Sequence, residues 1–159
     1  MRAACAVWRL LDFGIVANVG DTPFLRCTPL YAAPEVLRAF DAEEKITVQP
    51  SQDIWALGVM LYEIITQGPT FPPGTQASAL YECASGRQQY PWEADAALSD
   101  AQWRRSRLRG VASLCLARDA AQRPSAREIS QKLAQMSSAT TSHGSRALEL
   151  LLEGAEQGP

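Results

Sequence analysis

Residues 51–66 constrain the chain most. Ile54, Trp55, Leu57, Val59, Met60, Leu61, Tyr62, Ile64 and Ile65 fall within one stretch of helical length. On a period of 3.6 they cover nearly the whole circumference rather than one stripe, and a helix apolar all round belongs inside a domain. The rest of the chain must then wrap this rod. Ser51 is placed to cap its start, and Asp53 falls in the first turn, where a carboxylate suits the helix dipole. Gly68-Pro69 and Pro72-Pro73 end it. A chain of 159 residues, 47% hydrophobic and 20% charged, suits one globular domain with a buried core.

The other elements read as satellites of that helix. Residues 7–11 form a short buried strand. Residues 15–34 are loop-like, broken by Gly20, Pro23, Pro29 and Pro34. One or two helical turns follow over 34–40, then an acidic polar loop over 41–50. A helix over 76–85 is stopped by Gly86. Pro91 and Trp92 lie in a surface loop. Residues 108–117 are helical, with Leu108, Val111 and Cys115 on one face. The last strong helix runs over 126–137. Ser125 and Glu128 have capping-box spacing, and Ile129, Leu133 and Met136 repeat on an inward face. Residues 1–137 therefore form the domain. Residues 138–159 form a flexible tail, with a Ser/Thr-rich linker, a short leucine helix over 147–153 and a disordered end. There is no internal repeat.

Charge and composition exclude several functions. The net charge is −2, and aromatic residues are not interleaved with basic ones, which argues against nucleic acid and an anionic membrane as partners. The apolar start, flanked by Arg2 and Arg9, has neither the form of a signal peptide nor the length of a span. An intracellular location, cytoplasmic or nuclear, is expected. Cys5, Cys27, Cys83 and Cys115 form no Cys-x-x-Cys pair, and His143 stands alone in a polar stretch. A zinc site is not expected, and the cysteines read as free thiols.

Four short motifs carry chemistry. Asp12-Phe13-Gly14 offers a carboxylate on a tight turn, the kind of ligand magnesium needs beside phosphates. Alone it reads equally well as an ordinary strand exit. Cys27-Thr-Pro-Leu-Tyr-Ala-Ala-Pro-Glu35 is far more specific. Asp53-x-Trp55-x-x-Gly58 opens the central helix, and Gln122-Arg-Pro-Ser125 precedes the last one. Taken singly, Glu35 is a solvated carboxylate at a helix start and Asp53 merely favours a helix N-terminus.

In this order the motifs resemble those of the eukaryotic-type protein kinase domain, of the Ser/Thr kind, from Asp-Phe-Gly onward, and the resemblance covers about residues 7–136. It implies a mainly α fold: a partial kinase-like C-lobe, with a buried central helix and others around it over 51–137. It implies an activation segment over 12–35, with Asp12 as the Mg²⁺ ligand beside ATP. Phe13 would set the orientation of Asp12, and Gly14 would permit the turn. Thr28 would contact the catalytic base, and the stretch around Tyr31 would support the substrate peptide. Glu35 would pair with a buried Arg123. Asp53 would hydrogen-bond the catalytic loop, while Trp55 and Gly58 would allow close packing. Thr22 is the expected regulatory phosphorylation site and Thr28 the structural one, with Arg26 nearby.

The departures matter as much. No glycine-rich loop, ATP-pairing Lys on a strand, αC Glu or His-Arg-Asp loop with its Asn precedes Asp12. No catalytic base or ATP-pairing residue is present, so this chain alone is expected to bind no ATP or Mg²⁺ and to transfer little or no phosphate. The parent activity would be transfer of the ATP γ-phosphate to Ser or Thr of proteins. The other expectation is a non-catalytic lobe that binds protein substrates or partner kinases. Cys27 stands where the family has Gly, and it reads as a packed, inert thiol.

Overall fold

The computed structural model describes residues 15–22, 27–94 and 106–136. The strand expected over 7–11, the Asp12-Phe13-Gly14 motif, Arg26 and everything expected of residues 137–159 lie outside the described residues. The fold is mainly α, and among the described residues there is no β-strand.

A 3-10 turn at Pro29–Tyr31 leads into α1, Pro34–Asp41. The central helix, α2, spans Pro50–Thr66. It is followed by α3, Ala77–Ser85, α4, Arg109–Cys115, and α5, over 126–136. The start of α2 corrects the sequence reading. Gln49 is its N-cap and makes no side-chain cap bond, so Ser51 does not cap. Pro50 takes the first turn instead, where its fixed φ suits the helix and its missing N–H is no loss. At the far end Gln67, at φ 56°, adopts the left-handed conformation that glycine usually supplies. Gly86 does supply it after α3, at φ 82°.

α2 packs on α4, and α1 packs on α3. The α2–α4 contact is close because Gly58 faces α4. A Cβ built there would lie 2.8 Å from Leu116 Cγ and 2.9 Å from Cys115 Cβ. One core cluster joins Val36 and Leu37 of α1, Trp55, Val59, Tyr62 and Ile65 of α2, and Leu80 and Cys83 of α3. A smaller one joins Ile54, Val111, Cys115 and Ile129.

Three expectations fail in the packing. Trp92 is not in a surface loop but in the core, as is Tyr90. Their rings stack in parallel, with centroids 4.7 Å apart, and both meet Trp55 edge-on at 5.2 and 5.5 Å. The α2 helix is also not buried all round, since Met60 is 45% and Ile64 65% exposed. On α5, Ile129 is buried and Met136 packs against the smaller cluster, but Leu133 is exposed.

Candidate functional site

The site is built around the end of the 27–35 segment. Pro29 and Pro34 stiffen it, and Tyr31 and Ala32 close the 3-10 turn through N–H bonds to Thr28 O and Pro29 O, at 3.0 and 3.1 Å. Ala32, Ala33 and Pro34 are buried against the core, whereas Thr28, Pro29 and Leu30 are exposed. One side of the segment is therefore anchored and the other is presented to solvent. Cys27 is half-buried, and desolvation pushes its thiol up, away from thiolate reactivity.

Glu35 and Arg123 are brought together. Arg123 Nη1 and Nη2 donate to Glu35 Oε1 and Oε2 at 2.7 and 2.8 Å, a two-pronged contact that fixes both distance and plane. The Arg123 side chain is fully buried, and that of Glu35 is 21% exposed. The remaining N–H groups of Arg123 donate to Ala117 O, Ser51 O and Arg118 O, and the guanidinium lies 5.0 Å from the Trp55 ring centre. One side chain thus ties the start of α1 to the first turn of α2 and to the chain leaving α4.

Tyr31 is anchored from below. Its hydroxyl donates to Glu63 Oε2 at 3.0 Å, and Glu63 Oε1 accepts the Thr70 N–H at 2.9 Å. The bond to Glu63 raises the Tyr31 pKa, with burial and the Glu63 charge adding to it. Tyr31 and Glu63 edge a shallow groove completed by Met60, Ile64, Gly68 and Pro69.

The other expected residues are more dispersed. Thr22 and Asp53 are exposed, Trp55 is 1% exposed beneath Arg123, and Gly58 faces α4. Among the described residues no three His, Cys, Asp or Glu side chains converge as ligands for a metal ion. Cys27, Cys83 and Cys115 are free, and burial pushes Cys115 up to about 11.

Sequence reasoning missed a second arginine hub. Arg118 Nε and Nη2 donate to Glu93 Oε1 and Oε2 at 2.7 and 2.6 Å, and Nη1 donates to Cys83 O at 2.7 Å. Glu93 Oε2 also accepts the Tyr90 N–H at 2.9 Å, and the Arg118 guanidinium stands 4.9 Å from the Tyr90 ring centre. The only signal in the sequence was a glutamate beside two aromatic residues in a segment read as surface loop.

Residues 3–133 match the family described as the protein kinase domain. Serine/threonine-protein kinase SBK2 of Homo sapiens is 35% identical over 108 residues, covering 62% of this chain and 31% of that protein. Cyclin-dependent kinase F-3 of Oryza sativa subsp. japonica is 36% identical over 80 residues, covering 48% of this chain and 17% of that protein. Serine/threonine-protein kinase CG17528 of Drosophila melanogaster is 35% identical over 86 residues, covering 52% of this chain and 11% of that protein. The chain spans under a third of the length of each.

Proposed function

The chain belongs to the protein kinase domain family, and from that premise we propose that it is the protein-substrate side of a serine/threonine kinase. The parent reaction moves the ATP γ-phosphoryl group to a Ser or Thr hydroxyl of a protein. The single observation that carries this reading is the Glu35–Arg123 clamp. It fastens the 27–35 segment to the central helix while leaving Thr28 and Leu30 exposed toward a peptide. Positioning dominates phosphoryl transfer, and a displacement of about 1 Å can cost roughly a hundredfold in rate.

In this reading Tyr31, held by Glu63, supports the peptide, and Thr28 faces the catalytic base. Asp53 presents its carboxylate to the catalytic loop. Asp12 would hold Mg²⁺, Phe13 and Gly14 would orient Asp12, and Thr22 would be the regulatory threonine. Mg²⁺ and ATP supply the transferable group and neutralise its charge. The described residues do not by themselves make that site, so no transfer step is assigned to them. The 159 residues taken alone bind no ATP and transfer no phosphate, because the base, the ATP-pairing Lys and the glycine-rich loop are not among them. Protein substrates and partner kinases are the partners, in the cytoplasm or nucleus. Among the described residues no helix is long and apolar enough to cross a membrane.

The test compares two proteins for ATP binding by calorimetry and for radiolabel transfer to a Ser/Thr peptide. One is the 159-residue chain, and the other is the chain extended by upstream sequence supplying the missing motifs. The short chain is expected to be silent. The extended one should be active and should lose transfer on Asp12→Ala. Transfer by the short chain that disappears on Asp12→Ala would overturn the claim of incompleteness. An inert extended protein would favour a non-catalytic lobe that binds protein substrates or partner kinases.

A further inference from the structure

α5 leaves its apolar stripe half covered. Ile129 is buried and Met136 packs against the smaller cluster, yet Leu133 between them is 37% exposed. Arg127 and Lys132 are exposed as well, and Glu128, the one acid of this helix, is engaged by the Ser125 N–H and Oγ at 2.7 Å each. Residues 147–155, outside the described ones, carry the complementary pattern. Leu148, Leu151, Leu152 and Ala155 recur at i, i+3, i+4 and i+7, the spacing of one helical stripe. Residues 147–159 hold Glu149, Glu153 and Glu156 and neither Lys nor Arg.

We propose that residues 147–155 fold back as a helix along α5 of the same chain and seat their leucine stripe on Leu133. Ten residues, 137–146, join the two. Fully extended they reach about 35 Å, whereas α5 is about 16 Å long, so the tether spans any point along it. The cost of closing such a loop grows only slowly with its length, and a tethered partner meets its surface at high effective concentration. A helix this short does not persist in water without an apolar surface to pack on. The groove beside Met60 and Ile64 is the competing surface, but Glu63 lines it. Seated there, Glu149 and Glu153 would face another carboxylate; on α5 they approach Lys132, which flanks Leu133. The inference uses only α5 and the tail, so it does not rest on the kinase reading.

Amide exchange in the full 159-residue chain reads the contact, in the wild type and in Leu133→Asp, Leu151→Asp and Leu150→Asp. Amides of residues 148–153 should be protected in the wild type. Leu133→Asp and Leu151→Asp should each speed their exchange about tenfold or more, the effect of losing one buried leucine. Leu151→Asp should also speed exchange at Leu133. Leu150 falls off the stripe, so Leu150→Asp should leave the protection in place. The Val59 amide, in the core of α2, reports that the domain stays folded. If Leu133→Asp disturbs Val59 too, Leu151→Asp decides, since its site lies outside that core. Unprotected amides over 148–153 in the wild type overturn the proposal, as does protection that survives Leu133→Asp or that Leu150→Asp removes equally. Protection that fades on dilution also overturns it, because the occupant would then be a second copy of the chain. Failure of the kinase reading would appear in the transfer assay and leave this result standing.

Discussion

Arg123 uses all of its donors. Glu35 takes two N–H groups, and three backbone carbonyls, Ala117 O, Ser51 O and Arg118 O, take the others. Such a charge is tolerable in a core only because every donor is matched, and removing one partner strands the other. Arg123→Ala or Glu35→Ala should each cost roughly 3–5 kcal/mol in urea unfolding, while replacing both with apolar residues of similar volume should cost less. Equal losses for the single and double variants would contradict this. Arg123→Lys should fall with the severe group, since an ammonium cannot span five separated acceptors. The second hub predicts pH dependence. Burial pushes Glu93 up, but the Arg118 hydrogen bonds, the Tyr90 N–H and the Arg118 charge together hold it below its ordinary value. A depressed folded pKa means stability that is present above the ordinary carboxylate range, near 4.3. That stability is lost as pH falls through the lower folded value. Thermal unfolding followed from pH 7 downward should show this acid limb, and Glu93→Gln should make it shallower. An unchanged limb would remove Glu93 from the cause.

At the scale of elements, the α2–α4 contact depends on a missing Cβ. Gly58→Ala gains about 1 kcal/mol of helix propensity. It also drives a methyl to 2.8 Å from Leu116 Cγ and 2.9 Å from Cys115 Cβ. The second atom is fixed to its backbone and cannot rotate away, so the helices must part, and overpacking costs roughly 1–3 kcal/mol. A net loss of stability should appear as a lower urea midpoint, and a gain would mean that the helices separate freely. Helices with a clear period were legible in the sequence. So was the α5 cap, where Ser125 Oγ accepts the Glu128 N–H and Glu128 Oε2 accepts the Ser125 N–H, at 3.3 and 2.7 Å. The Glu35–Arg123 partnership was legible only through motif resemblance, since 88 positions separate its members. Tyr90 and Trp92 were not legible, because a buried loop has no period and its burial depends on elements that meet only in three dimensions. Arg118 was hidden for the same reason, as its partner sits in that loop.

At the scale of the whole molecule, the central helix divides its apolar surface unequally. Trp55, Val59, Tyr62 and Ile65 face the aromatic core, and Ile54 faces α4 and α5. Leu57 and Leu61 are partly covered, while Met60 and Ile64, one turn apart on the same face, are 45% and 65% exposed. The groove bordering them extends to Tyr31 and Pro69, and Leu30 beside Tyr31 is also 39% exposed. Scattered apolar residues on a surface need no explanation, but a contiguous strip along the domain's central rod does. Burying apolar area gains about 25 cal/mol per Å², so two such strips meeting in water should bind each other. The 159-residue chain should therefore self-associate in sedimentation velocity and bind a hydrophobic dye. Met60→Gln with Ile64→Glu should shift it toward monomer without lowering its unfolding midpoint, because neither side chain belongs to the buried core. A wild-type chain that sediments as a monodisperse monomer and leaves the dye dark would contradict this. Association that persists in the double variant would move the sticky surface elsewhere, with the exposed Ile15, Val16 and Val19 next to test.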